Sequence, residues 1–91
     1  MLFQTISVQN YYYHLIYQRE KRILNTILNR YINKGDIVFD IGAYTGMWTI
    51  AIAKKIGSEG KEYAFEPDYE SYIGLIQNLK LNKILNVTPF N

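Results

Sequence analysis

A glycine-containing turn and a glutamate downstream of it are the residues of this 91-residue chain best suited to ligand chemistry. Asp40, Gly42 and Gly46 follow an apolar run, and Glu66 ends the next one. A strand that turns through glycines into a helix brings backbone close to a nucleotide-like ligand. A carboxylate at the tip of the following strand, about 20 residues later, accepts hydrogen bonds from ribose hydroxyls. The order and spacing therefore predict a site for a ribose-containing ligand.

The spacing of the glycines bears on which such ligand fits. The dinucleotide fingerprint G-x-G-x-x-G has a second glycine two positions after the first, where backbone approaches the pyrophosphate. Tyr44 occupies that position, and the pattern here is D-x-G-x-x-x-G. A large side chain there disfavours NAD and FAD, whereas S-adenosylmethionine (SAM) has a ribose and no phosphate. The alternative is that Gly42 and Gly46 are only turn residues of an α/β crossover.

Four segments of the chain resemble the FkbM-type SAM-dependent methyltransferases. They are the strand and turn at 35–46, the tripeptide Phe-Glu-Pro at 65–67, and the segments 78–82 and 86–88. The resemblance extends from about residue 34 to the last residue. It implies a SAM-dependent methyltransferase of Rossmann-like class I fold, of which this chain is the N-terminal, cofactor-binding part.

The resemblance also implies roles for individual residues. Asp40, Gly42 and Gly46 would line the methionine end of the cofactor, and Glu66 would bind its ribose. Members of the family often carry Asn where this chain has Tyr44. The full set of cofactor-binding residues that we expect is Asp40, Gly42, Ala43, Tyr44, Gly46, Glu66 and Pro67.

The pattern of apolar residues predicts an α/β chain with a helical segment at 1–34 and a partial SAM-binding domain at 35–91. A first helix is followed by β-α-β-α-β, which implies right-handed crossovers and a parallel sheet. The fully apolar first strand is expected to be covered on both faces. The predicted bounds are 11–33, 46–56 and 69–81 for the helices, and 37–41, 61–66 and 86–90 for the strands.

Local signals refine these elements. Gly35 is a plausible C′ residue of the first helix, Thr45 a plausible N-cap of the second and Asp68 of the third. Pro89 fits a strand only at an edge or a bulge. The inner face predicted for the third helix is Tyr69, Tyr72, Ile73, Ile76 and Leu79.

Composition excludes several classes of site. The chain has no cysteine and one histidine, so we expect neither a metal centre nor a cysteine nucleophile. The net charge of +2 gives no reason to expect a nucleic-acid partner. No apolar run approaches the ~20 residues of a membrane span, and the first residues lack the features of a signal peptide. These features predict a cytoplasmic protein, and we treat the sequon at 86–88 as chance.

The tyrosine cluster Tyr11, Tyr12, Tyr13 and Tyr17, with basic residues nearby, allows three interpretations. It fits a stacking platform for nucleic acid, an interfacial membrane helix, or a helix packed on a partly open sheet. The third is the most ordinary and is the one we expect. His14 is expected to be a packed histidine without a catalytic role.

The sequence leaves the reaction open. No residue stands out as a catalytic base, and the methyl acceptor could be a sugar, a lipid, a small metabolite or a protein. A non-catalytic fragment or small interaction module is the main rival function, and an NAD-dependent oxidoreductase is another. In a doubly wound sheet the first strand lies between the second and the fourth. With three strands its outer edge is open, so we expect self-association and no turnover by the 91-residue chain alone.

Overall fold

Residues 10–91 form a three-stranded parallel sheet with three helices. The computed structural model describes the backbone of residues 10–91 and the side chains of residues 18–91. The predicted α/β class and order of elements are confirmed. The elements are α1 Asn10–Tyr31, β1 Ile37–Ile41, α2 Met47–Ile56, β2 Lys61–Phe65, α3 Tyr69–Leu81 and β3 Val87–Phe90.

The strands lie in the order β1-β2-β3, with each strand parallel to its neighbour. Val38 pairs with Glu62 and Asp40 with Ala64, so the β1 and β2 side chains of this register point to the same face. β3 is an edge strand of this sheet, which confirms the expected setting of Pro89.

The core lies on one face of the sheet, where the helices pack. One apolar cluster joins Ala64 of β2 to Ile50 of α2 and Leu75 of α3. A second cluster joins Leu24 and Leu28 of α1 to Ile52 and Ile56 of α2, with Val38 of β1 packed against it. Because both clusters contain residues that alternate on the same side of the strands, all three helices cover the same face.

The opposite face of the sheet is bare in the described part of the chain. Ile37, Phe39 and Ile41 are 71%, 66% and 77% exposed. The prediction that β1 is covered on both faces is therefore wrong for these residues, although the bounds of the strand are right. Helices on both faces are the rule for parallel sheets, and here only one face has them.

Aromatic rings cross this bare face from strand to strand. Phe39 lies against Tyr63 and Phe65, at ring-centroid distances of 5.6 and 6.4 Å. Phe90 stacks on Phe65 at 5.0 Å. Such cross-strand pairs stabilise the strand register even without a covering layer.

Helix ends differ from the prediction in two places. α2 begins after Gly46, which takes a left-handed conformation and forms no side-chain cap, so Thr45 is not the N-cap. α1 ends at Tyr31, and the amide of Gly35 donates to the carbonyl of Ile56 at 2.8 Å. Gly35 is thus part of the connection to β1, and not the C′ residue of α1.

The buried side of α3 agrees with the predicted one in part, because Leu79 is buried and Tyr72 packs against the core. Leu75, Asn78 and Leu79 are the buried residues of this helix, whereas Tyr69 is exposed. Asp68 is confirmed as its N-cap, because Oδ2 accepts a hydrogen bond from the Ser71 amide at 2.9 Å. Hydrogen bonds from Ser71 hold the pKa of Asp68 below its usual value.

α1 is joined to α2 by a polar contact as well as by packing. The indole Nε1 of Trp48 donates to Glu20 at 2.9 Å, beside the Leu24 and Leu28 cluster. Trp48 is therefore a packing residue between helices. The side chains of Tyr11, Tyr12, Tyr13, His14 and Tyr17 lie outside the described residues. None of the helices in the described range is both long and apolar enough to cross a membrane.

The open edge of β1 and the bare face lead to a test of association. We expect the isolated 91-residue chain to self-associate or to be only marginally folded, because β1 presents unpaired backbone groups beside exposed apolar residues. Phe39→Lys places a charge at the centre of this surface and should shift the sedimenting species towards the monomer. Leu85→Lys, a matched change at an exposed residue of the loop before β3, should not. A concentration-independent monomer for the unmodified chain would contradict the expectation.

Candidate functional site

The glycine turn (residues 40–46) is fixed to the carboxyl end of β2 by backbone hydrogen bonds. The amides of Gly42 and Ala43 both donate to the carbonyl of Phe65, at 2.8 and 3.0 Å. Gly42 has a φ of +78°, and a Cβ at this position would meet no heavy atom within 4 Å. The positive φ explains why glycine is suited to this position. The open space places the Gly42 backbone where a ligand can approach it.

The far end of the turn is fixed to α3. Gly46 has a φ of +100°, and a Cβ here would stand 2.8 Å from Cδ1 of Leu75. The buried amide of Asn78 donates to the carbonyl of Thr45 at 2.8 Å. The two glycines therefore have different functions: Gly46 permits close packing of α3, and Gly42 leaves its outer side open.

Tyr44 has a left-handed backbone conformation, with a φ of +58°. This conformation is unfavourable for a residue with a Cβ, and Asn tolerates it better than Tyr. The side chain of Tyr44 is 64% exposed. Its amide donates to Oε1 of Glu66 at 2.8 Å, a charge-assisted bond that helps to hold the strained residue in place.

Glu66 connects the glycine turn to the start of α3. Its side chain is 7% exposed, and its second oxygen, Oε2, accepts a hydrogen bond from the amide of Asp68 at 2.8 Å. A carboxylate has about four lone-pair sites, so two acceptor sites are left after these bonds. Glu66 is thus a preorganised acceptor at the carboxyl end of β2, where ligands bind in open α/β sheets.

Asp40 lies at the end of β1 on the face covered by helices. Its Oδ2 accepts a hydrogen bond of 2.6 Å from the hydroxyl of Thr49, a fully buried residue of α2. This bond ties the strand end to the helix that follows the glycine turn. Asp40 and Glu66 together give this edge of the sheet a negative charge.

Glu62 adds a further carboxyl group beneath the turn. Its side chain is 0% exposed, and neither of its oxygens has a hydrogen-bond partner. Burial is the main cause that raises the pKa of Glu62 from 4.5 to about 9, and the nearby charge of Asp40 adds to it. Glu62 is therefore a neutral carboxylic acid at pH 7.

The structure brings most of the predicted site residues together at one end of the sheet. Asp40, Gly42, Tyr44 and Gly46 form the turn, and Glu66 lies against it. Ala43 differs from the others, because its side chain is buried in the core and its amide is bonded to Phe65. Pro67 follows Glu66 on the exposed side of the β2 to α3 connection.

Sequence reasoning missed three side chains that shape the site. Thr49, Glu62 and Asn78 are all buried and polar. The burial of Glu62 could have been predicted, because side chains alternate along a strand and Glu62 therefore lies on the same face as Ala64. Thr49 and Asn78 could have been found only from the packing of α2 and α3 against the turn.

The arrangement favours a ligand without phosphate groups. The amides of Gly42, Ala43, Tyr44 and Gly46 all donate to oxygens of the protein. A turn that binds pyrophosphate instead directs its free amides at the anion. Since the nearby carboxylates Asp40 and Glu66 would also repel a polyanion, the site suits a neutral or cationic ligand that carries hydroxyl groups.

Comparison of the sequence with known proteins gives limited information. No protein-family model matches the chain. An uncharacterized protein of Methanocaldococcus jannaschii is 30% identical over 83 residues, which are 90% of this chain and 31% of that protein. The chain thus spans less than a third of the length of this relative.

Comparison of structures is more informative. A SAM-dependent methyltransferase from Aquifex aeolicus matches with a TM-score of 0.70 at 22% identity, over 75% of this chain and 37% of that one. Coclaurine N-methyltransferase bound to N-methylheliamine and SAH matches with a TM-score of 0.70 at 22% identity, over 78% of this chain and 21% of that one. The fold is a partial Rossmann-like methyltransferase fold. The expected fold class is confirmed.

The strained backbone of Tyr44 leads to a prediction about stability. Tyr44→Asn should raise the free energy of unfolding of the intact protein by about 0.5–1 kcal/mol, because Asn adopts the left-handed conformation at lower cost. Tyr69→Asn is the control, since Tyr69 is also exposed but has no positive φ. Denaturant midpoints measure both changes. An equal effect of the two substitutions would show that Tyr44 is not strained.

The buried carboxyl of Glu62 leads to a prediction about pH. The unfolded chain loses this proton near pH 4.5 and the folded chain keeps it to about 9, so stability should fall as pH rises between these values. Glu62→Gln removes the ionisable group and should stabilise the protein by about 3 kcal/mol at pH 7 and by less than about 1 kcal/mol at pH 5.

Unfolding measured from pH 5 to pH 9 tests this prediction. Glu59→Gln provides the control, because Glu59 is an exposed carboxyl in the turn before β2. If Glu62→Gln and the unmodified protein have parallel stability profiles over this range, Glu62 is not a neutral acid in the folded state.

Proposed function

We propose that this chain is the cofactor-binding part of a SAM-dependent methyltransferase, related to the FkbM type. The glycine turn receives the methionine end of the cofactor, and Glu66 accepts hydrogen bonds from the ribose hydroxyls. The chain covers 37% and 21% of the two structural neighbours described above, so the activity of the whole protein is part of the proposal.

The observation that carries the proposal is the geometry of Glu66. Its buried carboxylate stands at the carboxyl end of β2, with one backbone hydrogen bond to each oxygen. Two acceptor sites are left for two ribose hydroxyl donors. The carboxylate is already fixed and desolvated, so binding would require little further ordering of this side chain.

The charges and amides of the turn fit SAM better than a dinucleotide. SAM carries a sulfonium and an ammonium group, which favour the neighbourhood of Asp40. The cofactor supplies an electrophilic methyl group when it is bound. The chain's own residues would position it: Gly42 leaves space for its approach, and four amides of the turn are bonded within the protein and so are not directed at a phosphate.

The acceptor is a small molecule, a sugar, a lipid or a protein in this proposal. Methyl transfer needs an acceptor aligned with the sulfonium and often a base that removes a proton. We assign no base among residues 18–91. The 91-residue chain alone should therefore show no turnover, even where it binds the cofactor.

Two other functions make different predictions about ligands. An NAD-dependent oxidoreductase would need a turn whose amides are free for pyrophosphate, and here four of them are bonded within the protein. A non-catalytic interaction module is favoured by the bare face of the sheet. Such a module would bind neither SAM nor NAD.

Substitution of Glu66 tests the proposed function. Glu66→Gln keeps the size of the side chain but removes its charge, and charge-assisted hydrogen bonds contribute about 1.5–3 kcal/mol. The affinity of the intact protein for SAM, measured by calorimetry, should fall roughly 10- to 100-fold. The unmodified protein should bind SAM and S-adenosylhomocysteine, and NAD should not compete.

Glu70→Gln is the matched control, because Glu70 lies on the first, exposed turn of α3. It should leave the affinity for SAM unchanged. Thermal unfolding of each variant shows whether the loss of the hydrogen bonds to Tyr44 and Asp68 has disturbed the fold. Preferential binding of NAD, or a folded Glu66→Gln protein with unchanged affinity for SAM, would contradict the proposal.

A further inference from the structure

Glu62 is a buried titratable group that the proposed binding site leaves without a role. It is the second residue of β2, on the face covered by the helices, with both carboxyl oxygens unpartnered. Burying a polar group without a hydrogen bond is unfavourable, and apolar residues of similar volume often replace buried charged groups without loss of stability. A structural role alone therefore gives no reason for a glutamate at this position.

The strand register places Glu62 next to Asp40. Val38 pairs with Glu62 and Asp40 pairs with Ala64, so the two carboxyl groups are diagonal neighbours on the face covered by helices. Asp40 already accepts a hydrogen bond from Thr49 through Oδ2. A carboxylate can accept further donors, and a protonated Glu62 has a hydroxyl to donate.

We propose that Glu62 is a positioning residue for Asp40: as a neutral acid it donates a hydrogen bond to the Asp40 carboxylate and, with Thr49, fixes it beneath the glycine turn. The link to ligand affinity rests on the proposed function. The pairing of Glu62 with Asp40 does not rest on it and can be measured without any ligand.

The surroundings of Glu62 support a protonated state. The strand that carries Glu62 is surrounded by Val38 and Asp40 of β1, by Val87 of β3 and by the buried residues of α2. The charged residues on the elements packed against β2 are Asp40 on β1, Lys54 and Lys55 on α2, and Glu70 and Lys80 on α3. Of these, Asp40 is the one whose charge acts on Glu62, and the lysines and Glu70 are exposed.

A neutral acid next to an ionised one is a known way to place a hydrogen-bond donor inside a protein. An apolar site keeps the acid protonated at pH 7, and the acid then stabilises the negative charge beside it. Burial and the charge of Asp40 raise the pKa of Glu62 to about 9.

Carboxyl-carbon NMR of the intact, ligand-free protein tests the pair directly. The Glu62 resonance should titrate near pH 9, and the Asp40 resonance should show a step at the same pH because the two groups are coupled. The step of Asp40 should vanish in Glu62→Met, while Glu59→Gln should leave it unchanged. The proposal would be overturned if Glu62 titrates near pH 4.5, or if the Asp40 resonance shows no step near pH 9.

Two variants separate positioning from a merely structural role. The unmodified protein should lose affinity for SAM above about pH 9, because Glu62 then loses the proton that it donates. Glu62→Gln keeps a donor at every pH, so it should retain the affinity within roughly threefold and show no such loss. Glu62→Met keeps the volume but has no donor, so affinity should fall roughly 10-fold while the unfolding temperature rises.

A lower affinity for SAM together with a higher unfolding temperature in Glu62→Met would indicate a positioning residue. Affinity equal to that of the unmodified protein, or a parallel loss of affinity and stability, would overturn the inference. If the unmodified protein does not bind SAM, the proposed function fails, and the NMR titration still decides whether Glu62 and Asp40 form a pair.

Discussion

The carboxylate of Glu66 is the interaction on which the carboxyl edge of the sheet depends. It accepts one hydrogen bond from a backbone amide of the β1 to α2 connection and one from a backbone amide of the β2 to α3 connection. The left-handed backbone of Tyr44 costs about 1–2 kcal/mol, and a charge-assisted hydrogen bond contributes about 1.5–3 kcal/mol. The bond is thus strong enough to hold the strained turn. The same group that organises the two connections is the one that we propose as the acceptor for a ribose.

The sheet divides its two faces between different tasks. The face with Val38, Glu62 and Ala64 is covered by three helices and contains the core. The other face carries a layer of aromatic rings that pack on each other and on no other layer in the described part of the chain. Parallel sheets bury both faces in complete α/β folds. The bare face therefore marks where a further layer of such a fold would lie.

The sequence predicted the elements well because their signals are local. The bounds of β1 and the cap at Asp68 follow from the apolar run and from turn chemistry, and both are confirmed. The buried side of α3 was predicted in part, with Leu79 and Tyr72 at the core as expected but Leu75 and Asn78 missed, because two adjacent stripes of this helix are apolar. Contacts with the turn decide between them: Asn78 bonds to Thr45, and Leu75 fills the space beside Gly46. Such contacts connect distant parts of the chain, and periodicity alone does not contain them.

The candidate site was predictable in its position but only partly in its construction. The motif placed Asp40 and Glu66 at the same edge of the sheet, which is where they lie. It did not reveal that the amides of the turn are already bonded, or that Glu62 is buried without a partner. Both features depend on where β2 lies relative to β1, and so on the register of the strands.

The strand order also has a consequence for synthesis on the ribosome. Each strand pairs with the one made before it, so the sheet can grow as the polypeptide emerges, at about 5–20 residues per second. Among the three described strands β1 is made first, and its second edge is used by neither β2 nor β3. The edge most prone to wrong pairing therefore emerges before the two strands that follow it, and it stays exposed while they are made.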